Sequence, residues 1–445
     1  MKKKDNSPRI YHAHLHGLRK GKYATLAESS VSQTEWEEIS PKSPYYLFIP
    51  RDIELEGEYE TGWKVTEIMK TNVLGFQTHR DGFAIDFEEE VIRERIREMR
   101  SERLTDEEFR LKYSLTDNRD WKLAIARKKL KGISNWEDSI IPCLYRPFDI
   151  RYCYFSDIAM DYPRVEIASH LLHENLALNT MRQTKAKHWK HALVSDCPTP
   201  AVYVEIKDGS SVFPLYLYHE EHGKTVKTPN IAPEFVEQIK KSIGVGRASA
   251  PDNSGMTGTE AGPTVEAGPT VEAGPTVEAG PTVSPEEIFY YIYAVLHSRT
   301  YRTRYAEFLK IDFPRIPLPK SKAYFEKLGE ELVKYHLLKI KDWGDLEQKG
   351  EATDTTVGKV HYDDENREIV LDAKKPPNEQ VRIGLVPKHI WEFHIGGYQV
   401  PHKWLKDRKG MKIDIEEYAY ILNALIHTDR IMNRIDPVFV EMIRV

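Results

Sequence analysis

Residues 284–319 read SPEEIFYYIYAVLHSRTYRTRYAEFLKIDFPRIPLP, and the rest of the chain is best understood outward from them. Ser284 stands where a helix N-cap would, with Pro285 at the first helical position. Ser284 and Glu287 can each satisfy a free backbone N–H of the first turn. Ile288, Tyr291, Ile292, Val295 and Leu296 recur at three- and four-residue spacing, which predicts one apolar face of an amphipathic helix. A second short helix follows, with Tyr301, Tyr305, Phe308 and Leu309 inward and Arg299, Arg302 and Arg304 free to point elsewhere. Pro314 and Pro317 end it and send the chain on in extended form. A buried helix beside an arginine-rich turn can hold cations rigidly against an anionic partner.

Downstream, residues 324–338 read as a helix, and 359–362 with 368–371 as a hairpin around the turn DDEN. An amphipathic helix over about 415–435 closes the chain, with Asp414 and Glu417 as its capping pair. Upstream, residues 247–283 are low in complexity and carry four tandem copies of EAGPTV from Glu260 to Val283. A proline in every copy, with glycine before it, blocks both a long helix and a paired strand, so this is expected to be a disordered linker. Residues 233–243 read as a helix. Short strands are expected at 140–144, 152–155, 176–179, 201–206 and 212–218, with one helix at about 164–173. Residues 52–131 are charged and mostly helical, with helices expected at 87–99 and 117–130. The fold class expected is α+β. An N-terminal strand and helical connector occupy 1–135. A mixed-sheet recognition domain with a C-terminal helical part occupies 136–445, interrupted by the repeats.

Composition excludes several classes of function. The formal charge is −5, so the chain does not coat nucleic acid indiscriminately, and any DNA contact needs local positive patches. Three cysteines, Cys143, Cys153 and Cys197, suit neither a disulfide framework nor a zinc knuckle and fit a reducing cytoplasm. No apolar run approaches the roughly 20 residues of a membrane span, and MKKKDNSPRIYHAH has no apolar stretch behind its lysines. A methyltransferase would need a glycine-rich cofactor loop and an Asn/Asp-Pro-Pro-aromatic strand end. Neither occurs, and Ser43-Pro44-Tyr45-Tyr46 lacks the second proline. The phosphate loop of an ATP motor is missing too. No catalytic, cofactor or metal residues are therefore assigned.

Two minor constellations have plainer readings. His12, His14 and His16 would share one face of a strand and could bind a metal, but an exposed edge strand accounts for them. Asp196 followed by Glu205-Ile206-Lys207 on a strand could serve a metal-dependent nuclease, although Glu-x-Lys on a strand is common. A second strand is expected at 45–49 (YYLFI).

Interleaved cations and aromatics between 138 and 220 suit phosphate contact, guanine-edge recognition and base stacking. Arg146, Arg151, Arg164 and Arg182, with Gln183, are the candidate DNA contacts. Lys185, Lys187 and Lys190 are candidates for phosphates, and Arg299, Arg302 and Arg304 form a second patch. Arginine's planar fork matches both phosphate and the guanine edge, whereas lysine mainly supplies charge. The competing reading places several of these arginines, Arg146 and Arg151 first, in buried structural ion pairs.

Several blocks in order carry a family resemblance. They are GLRKGKYATLAESS (17–30), FQTHRDGFAIDF (76–87), YRPFDIRY (145–152), PRVEIASHLL (163–172), NLAL (175–178) and Arg182-Gln183. FPLYLY (213–218), the 284–319 segment and WEFHIGGYQVPHKWLKDRKG (391–410) continue the series. Together they resemble the connector and C-terminal target-recognition region of type ISP restriction–modification enzymes, adenine-specific DNA methyltransferases that also carry nuclease and ATPase domains. The resemblance implies a specificity part that reads double-stranded DNA, mainly in the major groove, and positions a target adenine. S-adenosylmethionine, ATP and Mg would then belong to the complete parent enzyme, and there is room for a separate methyltransferase/translocase chain as a second partner. Two departures stand out: Tyr162-Pro163-Arg164 replaces the family's usual Arg-Pro-Arg, and the EAGPTV expansion replaces part of the recognition region. The alternatives are an assembly module that docks on a methyltransferase chain without touching DNA, and methyl transfer to adenine by this chain itself.

Overall fold

The computed structural model describes residues 8–43, 46–50, 53–101, 103–244, 283–320 and 327–443. Nearly all of the EAGPTV repeats therefore lie outside the described residues, as does Tyr45. Residues 46–49 form no strand. Contacts divide the chain into two compact units, Met1–Thr61 and Gly62–Val445.

In the first unit, Ile10–His12 pairs antiparallel with Glu37–Ile39, and helix Arg19–Glu28 buries none of its side chains. The strand ends at His12, so His14 and His16 lie beyond it. The three imidazoles meet one another instead: His14 meets His12 edge-on (ring centroids 4.3 Å apart) and stacks on His16 (5.3 Å).

The second unit is an α+β body built around helix Pro285–His297. Its expected cap is present: the Ser284 hydroxyl accepts from the Glu287 N–H (3.1 Å), and the Glu287 carboxylate accepts from the Ser284 N–H (2.8 Å). The helix differs from expectation in being buried on nearly all sides. It packs against helices Leu328–His336 and Ile415–Ile443 and strand Ala192–Ser195, so one apolar face would not suffice. The crossing with Leu328–His336 is close, because a Cβ on Gly329 would overlap the Tyr290 carbonyl. Tyrosine hydroxyls tie this helix and the next, Arg299–Arg304, to the extended exit of the segment: Tyr291 donates to the Pro317 carbonyl (2.7 Å) and Tyr301 to that of Arg315 (2.8 Å).

Three antiparallel sheets surround this centre. One orders Val73–Leu74, Ser211–Pro214, Ala177–Thr180 and Ala192–Ser195. A second orders Ile85–Asp86, Asp149–Tyr154 and Ile140–Arg146, and a third orders Glu347–Lys349, Arg382–Gly384, Glu368–Val370 and His361–Asp363. Helices Glu89–Arg100, Asp106–Tyr113 and Leu123–Lys131 share one hydrophobic core with Cys143, Cys153 and Tyr154, so these helices and the first strands after residue 135 pack together. A second core joins the terminal helix (Tyr418, Ile421, Leu425) to Ile369, Ile383, Trp404 and Phe148.

The strand expected at 201–206 is not formed. Ala201, Tyr203 and Val204 are buried, but in a turn: the Tyr203 N–H donates to the Pro200 carbonyl (3.0 Å) and its hydroxyl to the Val194 carbonyl (3.1 Å). The strand in this sheet is Ala192–Ser195, buried at every position. Residues 212–218 divide between Ser211–Pro214 and Tyr216–Glu221, the latter paired with Lys224–Pro229. The terminal helix runs on to Ile443 through Pro437, because Phe439 and Met442 remain buried beyond it.

Candidate nucleic-acid interface

Residues 181–191 (MRQTKAKHWKH) connect strands Ala177–Thr180 and Ala192–Ser195, and several anchors fix the loop. The Thr180 hydroxyl donates to the His191 carbonyl (2.8 Å), closing its base. The Thr184 N–H donates to the Lys310 carbonyl (3.0 Å), and the Thr184 hydroxyl accepts from the Ala186 N–H (3.1 Å). Trp189 is buried, and the Lys190 carbonyl accepts from the Gly396 N–H (2.8 Å). Gly396 sits at φ +53°, where a Cβ would overlap the Val204 carbonyl, so this contact requires glycine. Between the anchors, Arg182, Gln183, Lys185, Lys187 and His188 are exposed. Arg182 is 71 % exposed, and its Nε stands 3.6 Å from Asp312, whose nearer partner is Lys64 at 2.7 Å. The result is a cationic loop of low internal freedom.

The arginine-rich turn lies beside this loop. Arg299 pairs with Asp429 and Asn433 on the terminal helix. Arg302 points inward, its Nε donating to the Leu296 carbonyl (2.6 Å) and its guanidinium carbon 5.6 Å from the Trp189 ring centroid. Arg304 is exposed, with its guanidinium 5.9 Å from the Tyr305 ring. Two patches more than a hundred residues apart in sequence thus become neighbours, although only part of the second faces outward.

The remaining candidates separate by geometry. Arg146 has its guanidinium stacked 3.8 Å from the Tyr145 ring centroid and donates to the Tyr145 carbonyl (2.6 Å). Arg151 corrects the expectation of an outward contact. It is 13 % exposed and engages Asp149 (2.7 Å) and Asp407 (3.6 Å), so its fork is occupied within the fold. Asp149, itself 2 % exposed, also accepts from Arg408 (2.8 Å). Arg164 occupies a left-handed conformation (φ +56°), lies 5.0 Å from the Tyr162 ring, and has a buried Nε without a partner among the described residues.

The nuclease constellation does not assemble. Asp196 pairs with Lys339 (3.0 Å), and Glu205 pairs with His191 (3.2 Å). Glu205-Ile206-Lys207 is not on a strand. Among the described residues, no group of three or more His, Cys, Asp or Glu could hold a metal ion.

Sequence reasoning passed over His79. This residue also has φ +53°, and its Nδ1 lies 2.5 Å from the buried Asp161 carboxylate, which in turn accepts from Arg80 (2.5 Å) and Asn118 (2.7 Å). An imidazole so oriented keeps its other nitrogen for a partner. The available signal was Thr78-His79-Arg80-Asp81-Gly82, a polar turn inside the family block at 76–87.

Solved structures share this fold. A nuclease-deletion mutant of the type ISP restriction–modification enzyme LlaGI, in complex with a DNA substrate mimic, matches with TM-score 0.62 at 20 % identity, over 98 % of this chain and 33 % of that one. The DrdV–DNA complex, solved by cryo-electron microscopy, matches with TM-score 0.65 at 19 % identity, over 93 % and 42 %. The ATP-dependent type ISP enzyme LlaBIII bound to DNA matches with TM-score 0.62 at 18 % identity, over 92 % and 25 %. The fold is therefore one found in restriction–modification enzymes, and the chain spans less than half the length of each. The family model of the type ISP C-terminal specificity domain matches residues 67–434, so the chain belongs to that family. No curated protein matches it.

Proposed function

We propose that this chain is the DNA-reading part of a type ISP restriction–modification system. It recognises a sequence in duplex DNA, mainly through the major groove, and presents a target adenine to a methyltransferase carried elsewhere. Membership of the specificity-domain family over residues 67–434 carries this reading. The rigid, outward cations of the 181–191 loop support it, since they sit on a body whose net charge is −5. S-adenosylmethionine, ATP and Mg would act on other parts of the system, in the same polypeptide or in a partner chain. Among the described residues no helix is long and apolar enough to cross a membrane, and we place the protein in the cytoplasm.

Arg182, Gln183, Lys185, Lys187, Arg146, Arg164 and Arg304 form the proposed contact set, with Lys190 and Arg299 at the base of the loop. Arg182→Ala is expected to weaken specific binding by ~1–3 kcal/mol, read by fluorescence anisotropy against a cognate duplex. Unchanged affinity would remove Arg182 from the set. The assembly alternative draws on the first unit, where Leu18, Tyr23, Leu26 and Val31 are exposed on and beside helix Arg19–Glu28. Co-purification with a methyltransferase chain, without salt-sensitive DNA affinity, would favour it.

A further inference from the structure

Lys190 and Arg302, at the base of the cationic loop, differ from the exposed cations above them. The Nε of Arg302 is bonded to the Leu296 carbonyl, while its terminal nitrogens meet no acceptor among the described residues. Lys190 is half-buried, and the charges acting on it are Arg302 and Arg299, not a carboxylate. Trp189 is 2 % exposed, and its indole N–H has no hydrogen-bond partner among the described residues.

The acids in the neighbourhood are already engaged. Asp436 accepts from the Ser298 hydroxyl (2.7 Å) and the Thr300 N–H (2.9 Å). Asp429 holds Arg299, and Glu205 accepts from His191. Two like charges side by side, with no carboxylate bonded to either, repel one another unless an anion joins them. Every unmet group here is a donor, and a guanidinium edge beside an ammonium matches the oxygens of a phosphate.

We propose that Lys190 and Arg302 form a phosphate-binding site that grips one backbone phosphate of bound DNA, a deepening that rests on the function proposed above. The anchored loop is what makes the site rigid, because Thr184, Trp189 and the Lys190 carbonyl are all fixed to the body. Burial first, then the positive charges of Arg302 and Arg299, lower the pKa of Lys190. Burial brings Arg302 down to about 10, so it remains a cation at neutral pH.

Lys190→Ala is the informative variant, because it truncates a half-buried side chain while leaving Trp189 and Arg302 in place. In the full chain without DNA, inorganic phosphate should raise the Tm above a chloride control of equal ionic strength, and Lys190→Ala should abolish that rise. With duplex DNA at fixed salt, Lys190→Ala should lower affinity about tenfold and reduce the salt slope by about 1, with Lys190→Arg restoring most of both. Salt-sensitive DNA binding that is identical in Lys190→Ala and the parent would overturn the site while leaving the proposed function standing. Conversely, a Lys190-dependent phosphate effect in a chain that binds no duplex would keep the site and remove the function.

Discussion

Asp149→Ala is expected to destabilise the Gly62–Val445 unit by about 3–5 kcal/mol, measured by chemical denaturation followed through tryptophan fluorescence. The Asp149 carboxylate accepts from Arg151 Nε (3.0 Å) and Nη2 (2.7 Å) on one oxygen, and from Arg408 (2.8 Å) on the other. Arg408 lies against Trp404, its guanidinium carbon 3.6 Å from the ring centroid, and Arg151 lies 4.0 Å from that of Phe87. Removing the shared acid strands Arg408 among aromatic rings and leaves Arg151 only its longer contact with Asp407. A stranded buried charge costs more than the lost hydrogen bonds alone. Asp149→Asn, which keeps the shape and loses the charge, should fall between the two. A change within about 0.5 kcal/mol, the ordinary range for a surface substitution, would mean that the triad is solvated. Arg151 would then return to the candidate DNA contacts.

The second large effect is acid lability arising behind the interface. Tyr293 donates to His336 Nδ1 (2.5 Å), and His336 Nε2 donates to the Thr428 hydroxyl oxygen (2.8 Å), whose own proton goes to the Ala424 carbonyl (2.7 Å). His336 is therefore held neutral. Burial, with Arg302 adding to it, brings its pKa down to about 3. His297, which shares Tyr293 as a neighbour, is lowered as well, by burial first and then by Arg302 and His336. Once unfolded, both imidazoles take up protons below about pH 6.5. Between there and pH 3 the unfolded chain binds more protons than the folded one, so stability falls as pH falls. The contribution is roughly 1.4 kcal/mol per pH unit for each histidine. His336→Gln should flatten the slope of unfolding free energy against pH by about that amount between pH 4 and 6. Identical slopes would show that His336 is already protonated in the folded protein.

Local rules made the helices legible. The Ser284–Glu287 capping box, the stripe over Glu89–Arg100 and the hairpin at His361–Val370 each depend on residues a few positions apart. Segments whose structure depends on distant partners were not legible. Residues 201–206 (AVYVEI) are as apolar as a buried strand, yet their burial comes from a turn whose Val204 carbonyl accepts from the Gly397 N–H (3.1 Å), in the hairpin that pairs His394–Ile395 with Tyr398–Gln399. Ala192–Ser195 is short, fully buried and preceded by Lys190 and His191, so no alternation marks it.

The same physics governed the candidate site. The exposure of Arg182, Gln183, Lys185 and Lys187 was legible because polar residues on a short connection have few internal partners to choose from. Arg151 was placed outward because its second acid, Asp407, lies far along the chain, as does Arg408, which shares Asp149. Arg302 faces inward because Tyr301 and Tyr305, which fill the core beside it, leave its stem along Trp189. Arginine identity alone says nothing about which way the fork turns.

The most direct measurement is the salt dependence of duplex binding by the isolated chain, followed by anisotropy on a labelled target. Each neutralised phosphate contributes about 0.9 to the slope of log K against log salt. Lys185, Lys187 and Lys190 together should therefore give a linear fall with slope of about −3 or steeper. Affinity independent of salt, or no affinity at low salt, would contradict a rigid cationic loop that grips DNA.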